Sequence, residues 1–469
     1  MDSEATSIKK YALITSAMSS FLTPFMGSAV NLAIPSIGRS LNGSAVMLSW
    51  LVSSFLLVSA SLLLPVGRFA DIWGRKKIFI SGVIIFSLFS LLCSQAWSMK
   101  SLITFRVFQA AGAAMIFSTT IAILTSVYPP YERGRVLGIN VACTYAGLSL
   151  GPVLGGFLNH QFGWESIFLF GASWGLITCL FAVTKLNGEW ADSQNEQFDI
   201  FGAILYMTGI ALTIFGLSSL VTSSHWAKYI FITGLTLLGV FVRHEIKTEY
   251  PIMDIKLFIS NVIFTFSNMA ALINYSATFA VGFLLSIHLQ LIRGFDSQIA
   301  GLILLSQPIL MALLSPLAGR LSDRIEPRML ASFGMSITTL GLFIFVFIQE
   351  STPVWVIALT LMLMGAGFAL FASPNTNAVM GSVDKKFYGI ASATLGTMRL
   401  IGQALSMALA TLIIDFYIGN VKLNMASRDK FEDSIGTSFV VFAIICFVGI
   451  FASLARGSMK PRIGGNNHL

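Results

Sequence analysis

Two positive side chains stand inside stretches that otherwise carry no charge: Arg106 in FRVFQAAG and Arg399 in LGTMRLIGQALS. A glutamine follows each at helical spacing, Gln109 after three residues and Gln403 after four, so each pair would share one helix face. A charge placed in hydrocarbon costs at least ~2.5–3.5 kcal/mol on insertion scales, so these arginines mark functional positions by default. Arg106 lies near the end of its stretch, where its long stem can also reach a polar interface, whereas Arg399 lies deeper. Asn31, Tyr145, Asn274 and Tyr275 add polar groups on neighbouring apolar stretches and complete the candidate cavity set. No Asp or Glu stands in the middle of any such stretch. A buried carboxylate is the usual means of taking up a proton and a cation in turn, because burial and a positive ligand move its pKa in opposite directions. The remaining titratable candidates are Asp71, Asp199, Asp415 and His288. Arginines without acidic partners favour a cavity for neutral or anionic amphiphiles over one for bulky cations.

The elements that must position these groups are membrane helices. The 469 residues are 55% hydrophobic and only 11% charged, with 39 Phe and a mean hydropathy of +0.80. Soluble domains carry about 25% charged residues, so the composition excludes a soluble enzyme. No nucleophile-and-base pair, metal-ligand cluster or phosphate loop is legible, and no cofactor, metal or nucleic-acid partner is expected. Cys93, Cys143, Cys179 and Cys446 lie in apolar runs without metal or disulfide spacing and read as packing residues.

About 20 residues cross the hydrocarbon layer. Apolar runs of that length predict fourteen transmembrane helices, at 11–36, 46–66, 78–97, 102–127, 136–158, 164–184, 200–221, 226–242, 262–291, 299–317, 329–348, 354–371, 390–414 and 439–455. The first is expected to be an uncleaved span. With both termini cytoplasmic, 20 of the 29 Lys and Arg fall in cytoplasmic segments and seven in outer loops, as the positive-inside rule requires. The net charge of +8 therefore reports topology.

The chain also repeats. GRFADIWGRKK, 67–77, follows the second span, and GRLSDRIEPRM, 319–329, follows the tenth, an offset of 252 residues. Parallel repeats are one way transporters are built, with substrate held between the halves near the midplane. The fold expected is an all-α membrane protein of two six-helix pseudo-repeat bundles, 1–185 and 251–469, with an inserted linker and helix pair at 186–250.

Gly67, Asp71, Gly74, Arg75 and Lys76 resemble the cytoplasmic loop motif of the major facilitator superfamily, and Gly319, Asp323 and Arg324 resemble its second-half copy. Gly147, Gly151, Pro152, Gly155 and Gly156 in TYAGLSLGPVLGG resemble its antiporter motif, and Arg106, Gln109 and Gly112 its fourth-span motif. Trp50 with Pro65, and GWESIF at 163–168, are similar to the fourteen-helix drug:proton antiporter branch, the EmrB/QacA-like one. The resemblance implies a secondary transporter in the cell membrane, a monomer, exporting amphipathic small molecules against a proton gradient by alternating access. It also implies that the two loop motifs act as a cytoplasmic gate, and that the glycine-rich fifth span acts as a pliable helix between the halves. One departure stands out. Relatives usually carry an Asp shortly before the Asn-x-Ala-x-Pro segment of the first span, and here Met26 takes that place ahead of NLAIP. That departure leaves open an exporter or facilitator of lipid or anionic metabolites with other coupling, or a membrane sensor that does not transport.

Overall fold

The structure, a computed structural model, describes residues 2–457 apart from 129, 192–195, 220–225, 254, 323–324, 384–387 and 419–427. Its helices run α1 Asp2–Ser40, α2 Ala45–Trp73, α3 Arg75–Ser94, α4 Met99–Val127, α5 Pro130–Phe162 and α6 Glu165–Lys185 in the first bundle. The inserted pair is α7 Ile200–Ser218 and α8 Trp226–Lys247, followed by a short connector, α9 Ile255–Ser260. The second bundle holds α10 Val262–Thr278, α11 Ala280–Ile287, α12 Ser297–Leu304, α13 Ser306–Ser322, α14 Pro327–Phe345, α15 Val354–Gly381, α16 Tyr388–Ile418 and α17 Arg428–Ala455. Because α10–α11 and α12–α13 each make one broken crossing, the expected spans are all present. Thirteen are long and apolar enough along described residues, and the 33-residue α5 is the fourteenth.

In hydrocarbon each backbone N–H and C=O must be satisfied within the protein, which leaves helices as the economical solution for such runs. Local signals set where they start. Ser44, Asp199, Asn261 and Asp296 cap α2, α7, α10 and α12 by accepting a backbone N–H three residues on, and Ser98 with Ser101 forms a reciprocal capping box on α4. Leu176, Leu313, Phe347 and Phe416 are between 64% and 71% exposed, an outward apolar belt that fits lipid.

The breaks have separate causes. Pro308 supplies no N–H for the preceding turn, and the tenth crossing divides there, between α12 and α13. In the ninth crossing the hydroxyls of Ser276 and Thr278 donate back to the carbonyls of Leu272 and Asn274, a pattern that bends helices. The Ala280 N–H beyond the bend donates to Ser406 Oγ on α16 at 3.0 Å. A wide π-type turn, His288–Ile292, closes the same crossing.

The repeat recurs in the packing. Gly82 and Gly112 bring α3 onto α4, and Gly334 and Gly367 bring α14 onto α15, with each glycine close to its partner's backbone carbonyl. Gly82 and Gly334 are again 252 residues apart. The inserted pair packs against both bundles, α7 lying on α2 and α16; Tyr206 Oη of α7 donates to the Ala60 carbonyl of α2 at 3.0 Å, and Trp50 of α2 meets Phe215 at 5.4 Å.

Candidate functional site

The start of α1 lies beside the end of α4, where Tyr128 Oη donates to the Lys9 carbonyl at 2.7 Å, and the α2–α3 turn lies at the same end, where Arg75 reaches Ser126. Gly74 makes the turn with φ +117°, a conformation that side chains rarely adopt. The turn lets Arg75, at the start of α3, reach back to Asp71 in the last turn of α2. Arg75 Nε and Nη2 both donate to Asp71 Oδ1, at 2.8 and 2.7 Å, and Nη1 donates to Ser126 Oγ at the end of α4. Asp71 and Arg75 of the loop motif thus form an ion pair within the first bundle. Gly67 is less demanding, since a Cβ there would meet nothing nearer than 3.6 Å. In the second copy, Gly319 is tightly packed, with Ser373 Oγ 3.0 Å from a Cβ position, whereas Asp323 and Arg324 lie outside the described residues.

The segment after α6 holds this turn in a way the sequence did not indicate. The Trp190 carbonyl accepts the Arg75 N–H at 2.9 Å, and Glu189 Oε1 accepts the Lys76 N–H at 2.8 Å. These are two of the donors that a helix start leaves without intrahelical partners. Arg68 pairs with Glu196, and Phe198 meets Phe69 edge-on at 5.7 Å. Beyond it, Asp199 caps α7 with one oxygen and contacts His244 Nε2 at 2.7 Å with the other. Glu245, 2% exposed, accepts the Met253 N–H at 2.9 Å. Among the candidate titrating groups, Asp199 is thus in contact with His244, Asp415 is buried in the last turn of α16, and His288 is fully buried at the start of the π-type turn.

The glycine-rich stretch of α5 presents two faces. Gly147, Gly151 and Gly155 lie on one stripe against α1, where Cβ atoms would come within 2.3 to 2.6 Å of Phe21 O, Ser28 Cβ and Ala29 Cβ. Gly156 and Pro152 face the other bundle instead. A Cβ on Gly156 would sit 2.8 Å from the Ser297 carbonyl, and one on Gly301 would sit 2.2 Å from the Pro152 carbonyl. Nearby, Gln290 Nε2 donates to the Leu32 carbonyl at 2.9 Å and Ser286 Oγ to the Asn31 carbonyl at 3.0 Å. All these contacts lie toward the end opposite the α2–α3 turn, so the bundles are closed against each other there. A cavity of about 760 Å³ lies beyond them, lined by Ser36, Arg39, Asn159, His160, Gln290 and Asp296 among others.

The two intramembrane arginines occupy different environments. Arg106 is 1% exposed and wholly inside the first bundle: Nη1 donates to Gln109 Oε1 at 2.6 Å, Gln109 Nε2 donates to Ser90 Oγ, and the guanidinium lies 4.2 Å from the Phe55 ring. Neither the interface nor the space between bundles holds it. Arg399 is half-buried on α16 with its guanidinium 6.0 Å from Phe117 of α4 and 6.0 Å from Tyr275 of α10, so it touches both bundles. Gly402, one turn on, permits this by letting α16 approach the Leu272 carbonyl and Tyr275 closely. Tyr145 of α5 lies within electrostatic range of Tyr275 and Arg399, and Phe368 of α15 meets Tyr275 edge-on at 5.3 Å. Asn274 is fully buried with both amide atoms lacking a hydrogen-bond partner, Asn31 Oδ1 likewise lacks one, and Gln403 is half-buried on α16. Met26, at the position of the expected acid, is fully buried against Gly171 of α6.

Arg456 was counted in the sequence as a topology charge. It is 1% exposed, and it ties α17 to α10, α14 and α15 through Ser453, Ser267, Asn375 and the Pro327 carbonyl. Burial lowers its guanidinium to about 10, with Glu326 opposing the shift, so it stays charged at neutral pH.

Residues 16–243 and 268–468 match the Major Facilitator Superfamily. The chain is 27% identical to the riboflavin transporter RibZ of Clostridioides difficile over 95% of its own length and 97% of the relative's. It is 29% identical to the multidrug resistance protein Stp of Mycobacterium tuberculosis, covering 84% of this chain and 74% of that one. Among solved structures it is similar in fold to a D-xylose–proton symporter, with TM-score 0.68, 14% identity, and 95% and 96% of the two chains covered. An inward-facing bacterial homologue of the lysosomal transporter Spinster gives TM-score 0.68 at 15% identity, covering 95% and 96%.

Proposed function

The chain belongs to the Major Facilitator Superfamily, and from that premise we propose that it is a proton-coupled exporter of amphipathic drugs or related small molecules, of the fourteen-helix drug:proton antiporter branch. It is a multi-pass membrane transporter rather than an enzyme. In this reading it works as a monomer in the cell membrane with both termini cytoplasmic, and the charge bias of its loops supports that orientation. The bundles at 1–185 and 251–469 rock about the substrate, with the 186–250 insertion packed beside them.

The observation that carries the reading is the contact of Pro152 and Gly156 with Gly301 and Ser297. It joins the bundles chiefly through small residues and backbone carbonyls, with the Leu32 side chain seated against Gly156 and Gly301, so it can close tightly and part at modest cost. Such an interface suits a protein that must alternate between two packings. The names of the relatives above, a multidrug resistance protein and a riboflavin transporter, support a compound with ring systems as cargo. Proton coupling has no midspan carboxylate to serve it, so the buried carboxylates Asp415 and Glu245 become the first candidates.

The test is accumulation of a fluorescent amphiphile in cells expressing the protein, with and without a protonophore, beside Gly156→Leu at matched expression. Wild type should lower accumulation, and both the protonophore and the substitution should restore it. Equal accumulation in all four conditions across cationic, neutral and anionic dyes would remove the export reading.

A further inference from the structure

Arg399 has a property that Arg106 lacks. Arg106 spends its charge inside one bundle, on a glutamine and a ring face, and is sealed from any ligand. Arg399 is only half-buried, sits where the bundles meet, and has no carboxylate in salt-bridge range among the described residues. Its Nε is buried without a hydrogen-bond partner. Aromatic groups from both sides flank it, Phe117 and Tyr145 from the first bundle and Tyr275 from the second, with Phe368 packed edge-on against Tyr275. Asn274, next to Tyr275 in the chain, is fully buried with its amide oxygen and nitrogen both unpartnered.

A guanidinium in the membrane interior attracts a counter-ion, and the described protein supplies none at this place. Rings present their negative faces to the cation and offer flat apolar walls to a second ring. An oxyanion with two oxygens on one atom accepts two parallel hydrogen bonds from a guanidinium, which a cation or a neutral ether cannot reproduce.

We propose that the compound carried is an aromatic anion, a carboxylate, sulfonate or phosphate borne on a flat ring system, whose charge pairs with Arg399 while its ring lies among Phe117, Tyr145 and Tyr275. This rests on the export reading above and names its substrate class. Arg399 is the specificity-determining residue. Since both bundles contribute walls, the bound anion draws them together around it.

The experiment uses purified full-length protein in phosphatidylcholine nanodiscs, so that no anionic lipid supplies the counter-charge. Three coumarin probes with one ring are compared by equilibrium fluorescence anisotropy: a carboxylate, its neutral amide and a quaternary-ammonium amide. Wild type should bind the carboxylate at least about tenfold more tightly than the other two, a gap of about 1.4 kcal/mol. Arg399→Gln should erase that preference while leaving the amide's affinity within about twofold, and Arg399→Lys should keep part of it. Adding phosphatidylglycerol should weaken carboxylate binding only if lipid headgroups reach the same cation. Equal or tighter binding of the ammonium probe by wild type overturns the proposal, as does an undiminished carboxylate preference in a folded Arg399→Gln. Should Arg399→Gln fail to fold, the wild-type ranking and Arg399→Lys decide. Export of cationic dyes from cells without anion preference would sink this inference and spare the export reading, whereas absence of both binding and export would sink both.

Discussion

The Lys76 backbone N–H donates to Glu189 Oε1 at 2.8 Å, joining the start of α3 to a residue 113 positions later in the chain. The segment behind the first bundle thus caps the helix that carries the gate motif. A carboxylate at a helix N-terminus satisfies an orphan donor and complements the helix dipole. Glu189→Ala should remove about 1 kcal/mol of capping energy and slow export severalfold by loosening the turn. Glu189→Gln keeps an acceptor and should fall between. Dye efflux rates at matched expression check the order, and equal rates for all three would show that the cap is irrelevant to transport.

Asp71→Asn should reduce turnover without unfolding the protein. The Asp71 side chain is 34% exposed, so its pair with Arg75 contributes only about 0–1 kcal/mol to stability. Its value lies in holding Arg75 between α2 and Ser126 of α4. Melting temperature and efflux should therefore separate, the first unchanged within a degree or so and the second reduced. A parallel loss of both would make the pair merely structural.

The glycines of the motifs should differ from one another in a way their shared signature conceals. Gly151→Leu pushes a side chain into Ser28 and the Phe25 carbonyl of α1, and overpacking of this kind costs about 1–3 kcal/mol. Gly67→Ala should be tolerated, because a Cβ there meets only Ser118 at 3.6 Å. Expression, melting and efflux of the two variants side by side test the contrast; a harmful Gly67→Ala would mean that another conformation brings a neighbour closer.

The crossings themselves were legible in the sequence, since hydrocarbon forces long apolar helices wherever the backbone passes. Their interruption at Phe279–Ala280 was not, because the donor freed there finds Ser406 on a helix 126 residues away. The strap formed by Glu189 and Trp190 was hidden for the same reason, as a polar linker reads as solvent-facing until its partners are known. Arg106 and Arg399 looked alike as lone intramembrane charges, and only three-dimensional packing separates the one sealed inside a bundle from the one between bundles. The glycine stretch of α5 reads in the sequence as a pliable helix between the halves, and sequence could not say that 147, 151 and 155 pack on α1 of the same bundle while 156 faces α12.

Arg456→Gln should destabilise the second bundle. The substitution leaves Asn375 Oδ1, Ser267 and Ser453 short of a buried donor, and each unsatisfied buried group costs about 1–3 kcal/mol. A melting midpoint lowered by several degrees in detergent is the expected result, with Lys460→Gln, in the C-terminal tail, as the control for simple loss of charge. Equal melting of the two variants would show that the clasp adds nothing.

Transport driven by a proton gradient is the most direct test of the account. Purified protein is reconstituted into proteoliposomes with an acidic interior, and entry of a fluorescent amphiphile is followed beside internal pH. The account predicts that dye accumulates while the interior loses its acidity faster than in protein-free vesicles, that collapsing the gradient stops both, and that Gly156→Leu abolishes both. Dye entry indifferent to the gradient would contradict proton-coupled export, and no entry of any dye would contradict export itself.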